Sequence, residues 1–372
     1  MTKLRIIHFD SIDTLRATTV AWDDLWQRSD ATLPSLRAEL LAQWVEQFAS
    51  SDQFHAVGVE TEGRLVAALP LVRRKVARVF DAVAMPCNEW SSSGDLLLDA
   101  TDDGDTALDA LAAAIGELPW PLLWLDEAVL DAPRWQRLQE ALVRAGMTIA
   151  AHRRWRVGRV ELNDHDWPAY KGRWSRKHRQ QMAQASRRLA ERGEVRLSVG
   201  SQLAPGEVAV WMQRGFEVED RSWKGAAGSS VLRSPGMAEF FVRQAQQAAQ
   251  WGQLELAMLL CGDRPVAFSY GLTAKGVFHS MKVGYDPEFA QQHPGQLLRY
   301  HLLEQFFAQP ERKALDFQGP MTAAHAAWLP ELQSVGRLAV APRSRWGRLA
   351  VRAYKHVWPC IRALKRPKRG GR

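Results

Sequence analysis

The residues best suited to chemistry lie in the second half of the chain. In Lys282-Val-Gly-Tyr285-Asp286-Pro287, an alternating strand runs into a loop, and Pro294-Gly295-Gln296-Leu297-Leu298 then opens a helix. Proline fits the first helical turn because its missing N–H would be unpaired there, and glycine lets a ligand approach the backbone closely. The free N–H groups and positive dipole of such a turn can hold a pyrophosphate; the same turn would also serve as a plain cap. Glu219 ends a helix just before the glycine- and serine-rich stretch 222–235, a place for a general base beside a mobile loop or for a solvated carboxylate. Asp316 ends the short apolar run Ala314–Phe317, where α/β sheets bind ligands at strand carboxyl ends; it could equally cap the next helix.

Elements that could position these groups recur twice. Phe54–Val59, a Glu62-Gly63 turn and Arg64–Val72 form a hairpin pattern, and so do Leu254–Leu260, Gly262-Asp263 and Arg264–Leu272. Each hairpin is followed by a strand, a helix and a strand: Asp95–Leu98, Thr106–Ile115 and Leu122–Asp126 in the first copy, Val277–Tyr285, Gly295–Ala308 and Ala314–Phe317 in the second. A hairpin feeding a crossover helix and a parallel strand gives a mixed sheet with helices on both faces. The expected architecture is α/β: two such sheets in tandem over 1–160 and 161–342, and a C-terminal basic helix over 343–372.

Composition narrows the possibilities. The chain has 372 residues, 46% hydrophobic and 24% charged, and a net charge of +8. That suits two folded domains. Cys87, Cys261 and Cys360 are far apart and lack ligand spacing, so neither a metal site nor a disulfide framework is expected. No signal-peptide core and no membrane-spanning run are found, and a cytoplasmic location is the expectation. From Arg343 to Arg372 there are eleven Lys or Arg and no acid, so the first 342 residues are slightly acidic and do not suggest a nucleic-acid-binding body.

Three segments resemble the GNAT-type acyltransferases associated with cellulose and exopolysaccharide synthesis, which are related to the Fem-type peptidyltransferases. They are Trp174-Ser-Arg-Lys-His-Arg179 continuing to Arg187-Arg188-Leu189; Glu219-Asp-Arg-Ser-Trp223-Lys224-Gly225; and Lys282–Pro287 with Pro294–Leu298 and Leu315-Asp316-Phe317. The resemblance covers roughly 165–330. It implies a degenerate first copy and a second copy that takes acyl-CoA, such as acetyl-CoA, as co-substrate. Lys282, Gln292, Pro294, Gly295, Gln296, Leu297 and Leu298 would form the cofactor site. Of the usual phosphate signature only Gln292 and Gly295 are present, and between Phe317 and Trp328, where the family often has a Lys, there is only His325.

Acyl transfer needs a held thioester, a base and oxyanion donors. Glu219 and Asp316 are the expected acid–base groups, converging on one pocket, and Tyr285 the proton donor to the leaving thiolate. Trp223 and Lys224 are expected at the acceptor, a small molecule or glycan precursor. The alternatives are a Fem-like transferase using aminoacyl-tRNA, for which the basic helix 174–191 would face nucleic acid, and a non-catalytic scaffold. In the tail, Trp346, Leu349, Ala350, Ala353, Val357, Ile361 and Leu364 recur at helical spacing among arginines and lysines, with Pro359 as an expected kink. This amphipathic helix would either pack on the body or hold the protein at an anionic inner-membrane surface.

Overall fold

The computed structural model describes residues 4–76, 80–101, 105–163 and 166–364, with side chains described to residue 356. The chain forms two compact units, one made of 1–31, 35–155 and 333–372, the other of 32–34 and 156–332. Both are mixed α/β, and the doubling expected from the hairpins is present. The tail and the strand Glu331–Ala341 return to the first unit, because this strand pairs antiparallel with Leu123–Val129.

In the first unit the strands lie in the order Leu4–Phe9, Phe54–Thr61, Arg64–Val76, Phe80–Ala84, Leu123–Val129 and Glu331–Ala341. The hairpin turns through Glu62 and Gly63, both at positive φ. The strand that pairs parallel with Leu123–Val129 is Phe80–Ala84, not the segment around Asp95; Leu97–Leu98 makes only a short pairing with Arg64–Val76. The basic run before Phe80 hides the strand's alternation from a sequence reading. Helix Thr106–Glu117 makes the crossover, burying Leu108, Leu111, Ala112 and Ile115 at helical spacing beneath the sheet.

The second unit orders its strands as the end of Thr148–Glu161, then Ala314–Asp316, Val277–Tyr285, Arg264–Ala274, Leu254–Cys261 and Val195–Gly200. One face carries helices Arg176–Ala190 and Pro294–Phe307, which enclose Phe278, Leu298, Leu302 and Phe306. The other is covered by Pro205–Arg221 and Met237–Gln250: Phe216 meets Phe268 edge-on, and Phe241 meets Tyr270. The stretch 222–235, expected as a loop, holds a helical turn at Trp223–Ala226 and a 3₁₀ turn at Val231–Arg233.

Candidate functional site

The second unit's sheet is interrupted where ligands would enter. Val277, Phe278 and His279 pair in parallel with Ala314, Leu315 and Asp316, and the shorter strand then stops. Gln318 and Gly319, both at positive φ, turn the chain away. The longer strand continues to Tyr285, bonded to Arg264–Ala274 on its other side only, so the edge from Ser280 to Tyr285 has no neighbouring strand among the described residues. Backbone groups on such an edge can pair with an extended ligand, except the Val283 carbonyl, which accepts Lys224 Nζ.

A bulge sets which side chains face which way. The pairing with Arg264–Ala274 shifts between Tyr270 and Gly271, which leaves Met281 as the extra residue. Beyond it, Val283 and Tyr285 share the face of Ser269 and Ala267, the side of helix Pro294–Phe307. Lys282 and Gly284 share the face of Tyr270 and Phe268, under the other two helices. Lys282 accordingly lies over the Phe241 ring at 4.7 Å. This corrects the expectation that Lys282 joins Tyr285 and the 294 turn at one cofactor pocket: the two are three residues apart in regularly paired strand, so alternation puts them on opposite faces.

The 294 turn itself has the expected form. Helix Pro294–Phe307 begins with Pro294 at its first turn and has no side-chain cap; His293 before it is left-handed, with φ 46°. A Cβ on Gly295 would be 3.9 Å from the Tyr285 Cβ and would meet nothing closer, so the turn is open beside the end of the unpaired edge. The other predicted members divide. Gln292 is buried with an unbonded Oε1, Leu297 and Leu298 are core, and Gln296 accepts the Trp328 indole N–H at 2.7 Å. Gln296 therefore holds the aromatic core, and the turn's contribution to a ligand is its backbone.

Glu219 is fully engaged. Its carboxylate is buried, takes Lys224 Nζ at 2.6 Å on one oxygen and accepts the Val231 N–H at 3.0 Å on the other. Lys224 also donates to the Val283 carbonyl at 3.2 Å. The pair ties the 222–235 segment to the sheet, and Ser230 and Arg233 on Asp220 secure its far end. Gly284 is required there, since a Cβ would be 2.8 Å from the Glu219 Cα. Trp223, on the same segment, is 64% exposed and available for stacking.

Asp316 is at another level of the sheet. It is the register partner of His279, whereas Glu219 packs at Gly284, about 15 Å further along the strand at roughly 3.3 Å per residue. The two carboxylates lie on the same face but cannot both reach one reacting atom, which corrects the expected convergence. Asp316 accepts the Gln318 N–H at 2.8 Å, and the Gln318 amide bonds His279 Nδ1 at 3.1 Å. Burial raises the Asp316 carboxyl to about 6 against the Gln318 bond and the Arg159 charge, and burial lowers His279 to about 3. The result is a neutral imidazole beside a carboxyl poised close to neutrality, at the mouth of the gap.

Two groups had no assigned role in the sequence reading. His279 is one: only the parallel register puts it beside Asp316. Arg299, one turn beyond Gly295, has its guanidinium 4.6 Å from the Phe317 ring and 5.9 Å from Trp328, and burial lowers it to about 10. His325, between Phe317 and Trp328, stacks on Phe317 at 4.6 Å; burial, then the Arg299 charge, lower it to about 4. Its neighbours are aromatic and cationic, so it offers no phosphate-binding charge at neutral pH. No group of residues suited to a metal is found among the described residues.

Residues 176–325 match a family model described as an acetyltransferase (GNAT) domain. No curated protein sequence matches the chain. Among solved structures, FemX is similar with a TM-score of 0.58 at 11% identity, over 90% of this chain and 96% of that one. The C-terminal domain of a putative lysylphosphatidylglycerol synthetase from Agrobacterium fabrum gives 0.54 at 13%, over 91% and 96%. L-PGS from Bacillus licheniformis gives 0.52 at 10%, over 91% and 95%. At these identities the likeness shows the fold, which is GNAT-like.

Proposed function

We propose that the second unit is an acyltransferase that takes its acyl group from acyl-CoA and passes it to an amine or hydroxyl of a sugar or related precursor. The observation that carries this is the joint placement of an unpaired strand edge and an open, uncapped helix turn. The two amides of a pantetheine arm can pair with the Ser280–Tyr285 edge as a further strand would. The pyrophosphate then falls at the Gly295 turn, where backbone N–H groups and the helix dipole favour negative charge. The thioester lies in the gap near Asp316.

In this reading the acceptor's lone pair attacks the thioester carbonyl, the C–S bond breaks and the thiolate leaves. Asp316 takes the acceptor's proton, since a carboxyl near 6 is a stronger base than an ordinary one and is still ionised at neutral pH. Tyr285, expected as proton donor to the thiolate, lies instead at the pyrophosphate end beside Gly295, further along the strand from Asp316 than Gly284 is, so the leaving thiolate takes its proton from solvent. Glu219 and Lys224 hold the segment that carries Trp223 over the acceptor. A role in exopolysaccharide synthesis, motivated by the sequence resemblance, is part of this proposal, as is a cytoplasmic location, for which the widely spaced cysteines speak.

A second reading, an aminoacyl-tRNA donor, is favoured by one feature. Helix Arg176–Ala190 presents Arg176, Lys177, Arg179, Arg187 and Arg188 to solvent, a row suited to phosphates. Calorimetric titration separates the readings. Binding of acetyl-CoA or a longer acyl-CoA, weakened in Gly295→Asp, supports the first; tRNA binding without acyl-CoA binding supports the second; binding of neither leaves a scaffold.

A further inference from the structure

The tail helix, Arg345–Leu364, presents three different faces. Gly347, Val351 and Tyr354 fix it to the first unit. Val351 is fully buried, Tyr354 meets Trp124 and His152 with ring centroids at 4.8 Å in each case, and a Cβ on Gly347 would be 2.1 Å from the Pro121 carbonyl oxygen. The apolar stripe read from the sequence is not this docking face. Trp346 is 75% exposed and Leu349 59% exposed, with Ala353 also in solvent. Arg345, Arg348, Arg352 and Lys355, all exposed, occupy the arc between the two. The helix continues through Pro359; the side chains of Val357, Ile361 and Leu364, next in the series, lie outside the described residues.

We infer that this face binds an anionic lipid surface, Trp346 and Leu349 entering the headgroup boundary while the basic row pairs with lipid phosphates. A solvent-exposed tryptophan next to an exposed leucine is unfavourable in water, and both residues favour the membrane interface. The row beside them carries no acid from residue 343 onward, so the attracting surface is anionic. A nucleic acid would account for the arginines but not for the leucine. No described helix is long and apolar enough to cross a membrane, and this one would lie along the surface.

Because the helix is anchored by buried residues, deleting it would uncover the first unit, and point variants of the full chain give the cleaner test. Wild type, Trp346→Ala/Leu349→Ala and Arg345→Gln/Arg348→Gln/Arg352→Gln are sedimented with vesicles of phosphatidylcholine alone and of equal parts phosphatidylcholine and phosphatidylglycerol. The changed side chains are exposed, so both variants should melt with the wild type. Wild type should partition onto the anionic vesicles only, and each variant should lose at least ~10-fold. Equal partition of wild type and either variant overturns the inference. So does failure of wild type to bind anionic vesicles, whether or not it then binds an RNA oligonucleotide.

Discussion

Replacing Asp316 with Asn should make the protein more stable at neutral pH while impairing its chemistry. Burial raises the Asp316 carboxyl from 3.8 to about 6. Two pH units at about 1.4 kcal/mol each mean that ionised Asp316 costs the fold about 3 kcal/mol at pH 7 relative to an unshifted carboxyl. A raised folded pKa gives stability that is complete below 3.8 and disappears as pH rises through about 6. Asn is neutral throughout and keeps an oxygen for the Gln318 N–H, but its buried amide N–H groups cost about 1 kcal/mol. The net gain at pH 7 should be about 2 kcal/mol, crossing zero at about pH 4.5 and turning into a loss of about 1 kcal/mol well below 3.8. His279 and His325, lowered to about 3 and about 4, act in the opposite sense, losing stability as pH falls from 6.5. They are present in both proteins and cancel in the difference. Urea unfolding of wild type and Asp316→Asn from acidic to neutral pH measures that difference. A variant less stable than wild type at pH 7, by a margin constant with pH, would refute the claim that Asp316 is held against its own solvation.

Gly295→Asp should fold normally, because a Cβ has room there, and should weaken acyl-CoA binding at least ~10-fold by placing a negative charge at the phosphate turn; unchanged affinity in titration would remove the turn from the site. Glu219→Gln should cost about 2 kcal/mol of stability, less than a fully buried pair because Lys224 is a quarter exposed, with kcat falling only modestly. Full stability with a collapsed kcat would instead make Glu219 the base. Tyr285→Phe should leave kcat within about twofold, since the phenol lies beside the Gly295 turn and away from Asp316; a collapsed kcat with unchanged donor affinity would instead make it the proton donor.

Both hairpins, both crossover helices and the strands after them are legible in the sequence, because alternation, turn glycines and helical spacing are local patterns; the first copy's strand before its helix is not, since it is Phe80–Ala84 and not Asp95–Leu98. Val277–Tyr285 has the bounds read from its residues, and the 294 helix starts at the proline that favours a first turn. Tail amphipathicity was equally legible, yet not which stripe would be covered: Gly347, outside the apolar series, lies against the Pro121 carbonyl where no Cβ would fit. Tertiary structure alone decided the site's composition. One bulged residue, Met281, shifts the alternation along its strand and brings Lys282 onto the face of His279, whereas its separation from Tyr285 follows from their odd spacing alone. Parallel register across residues distant in the chain joins His279 to Asp316 and leaves Glu219 at another level, where it serves the fold of its own loop. Local pattern is written in neighbouring residues, but register and bulges depend on pairing between strands that no single window contains.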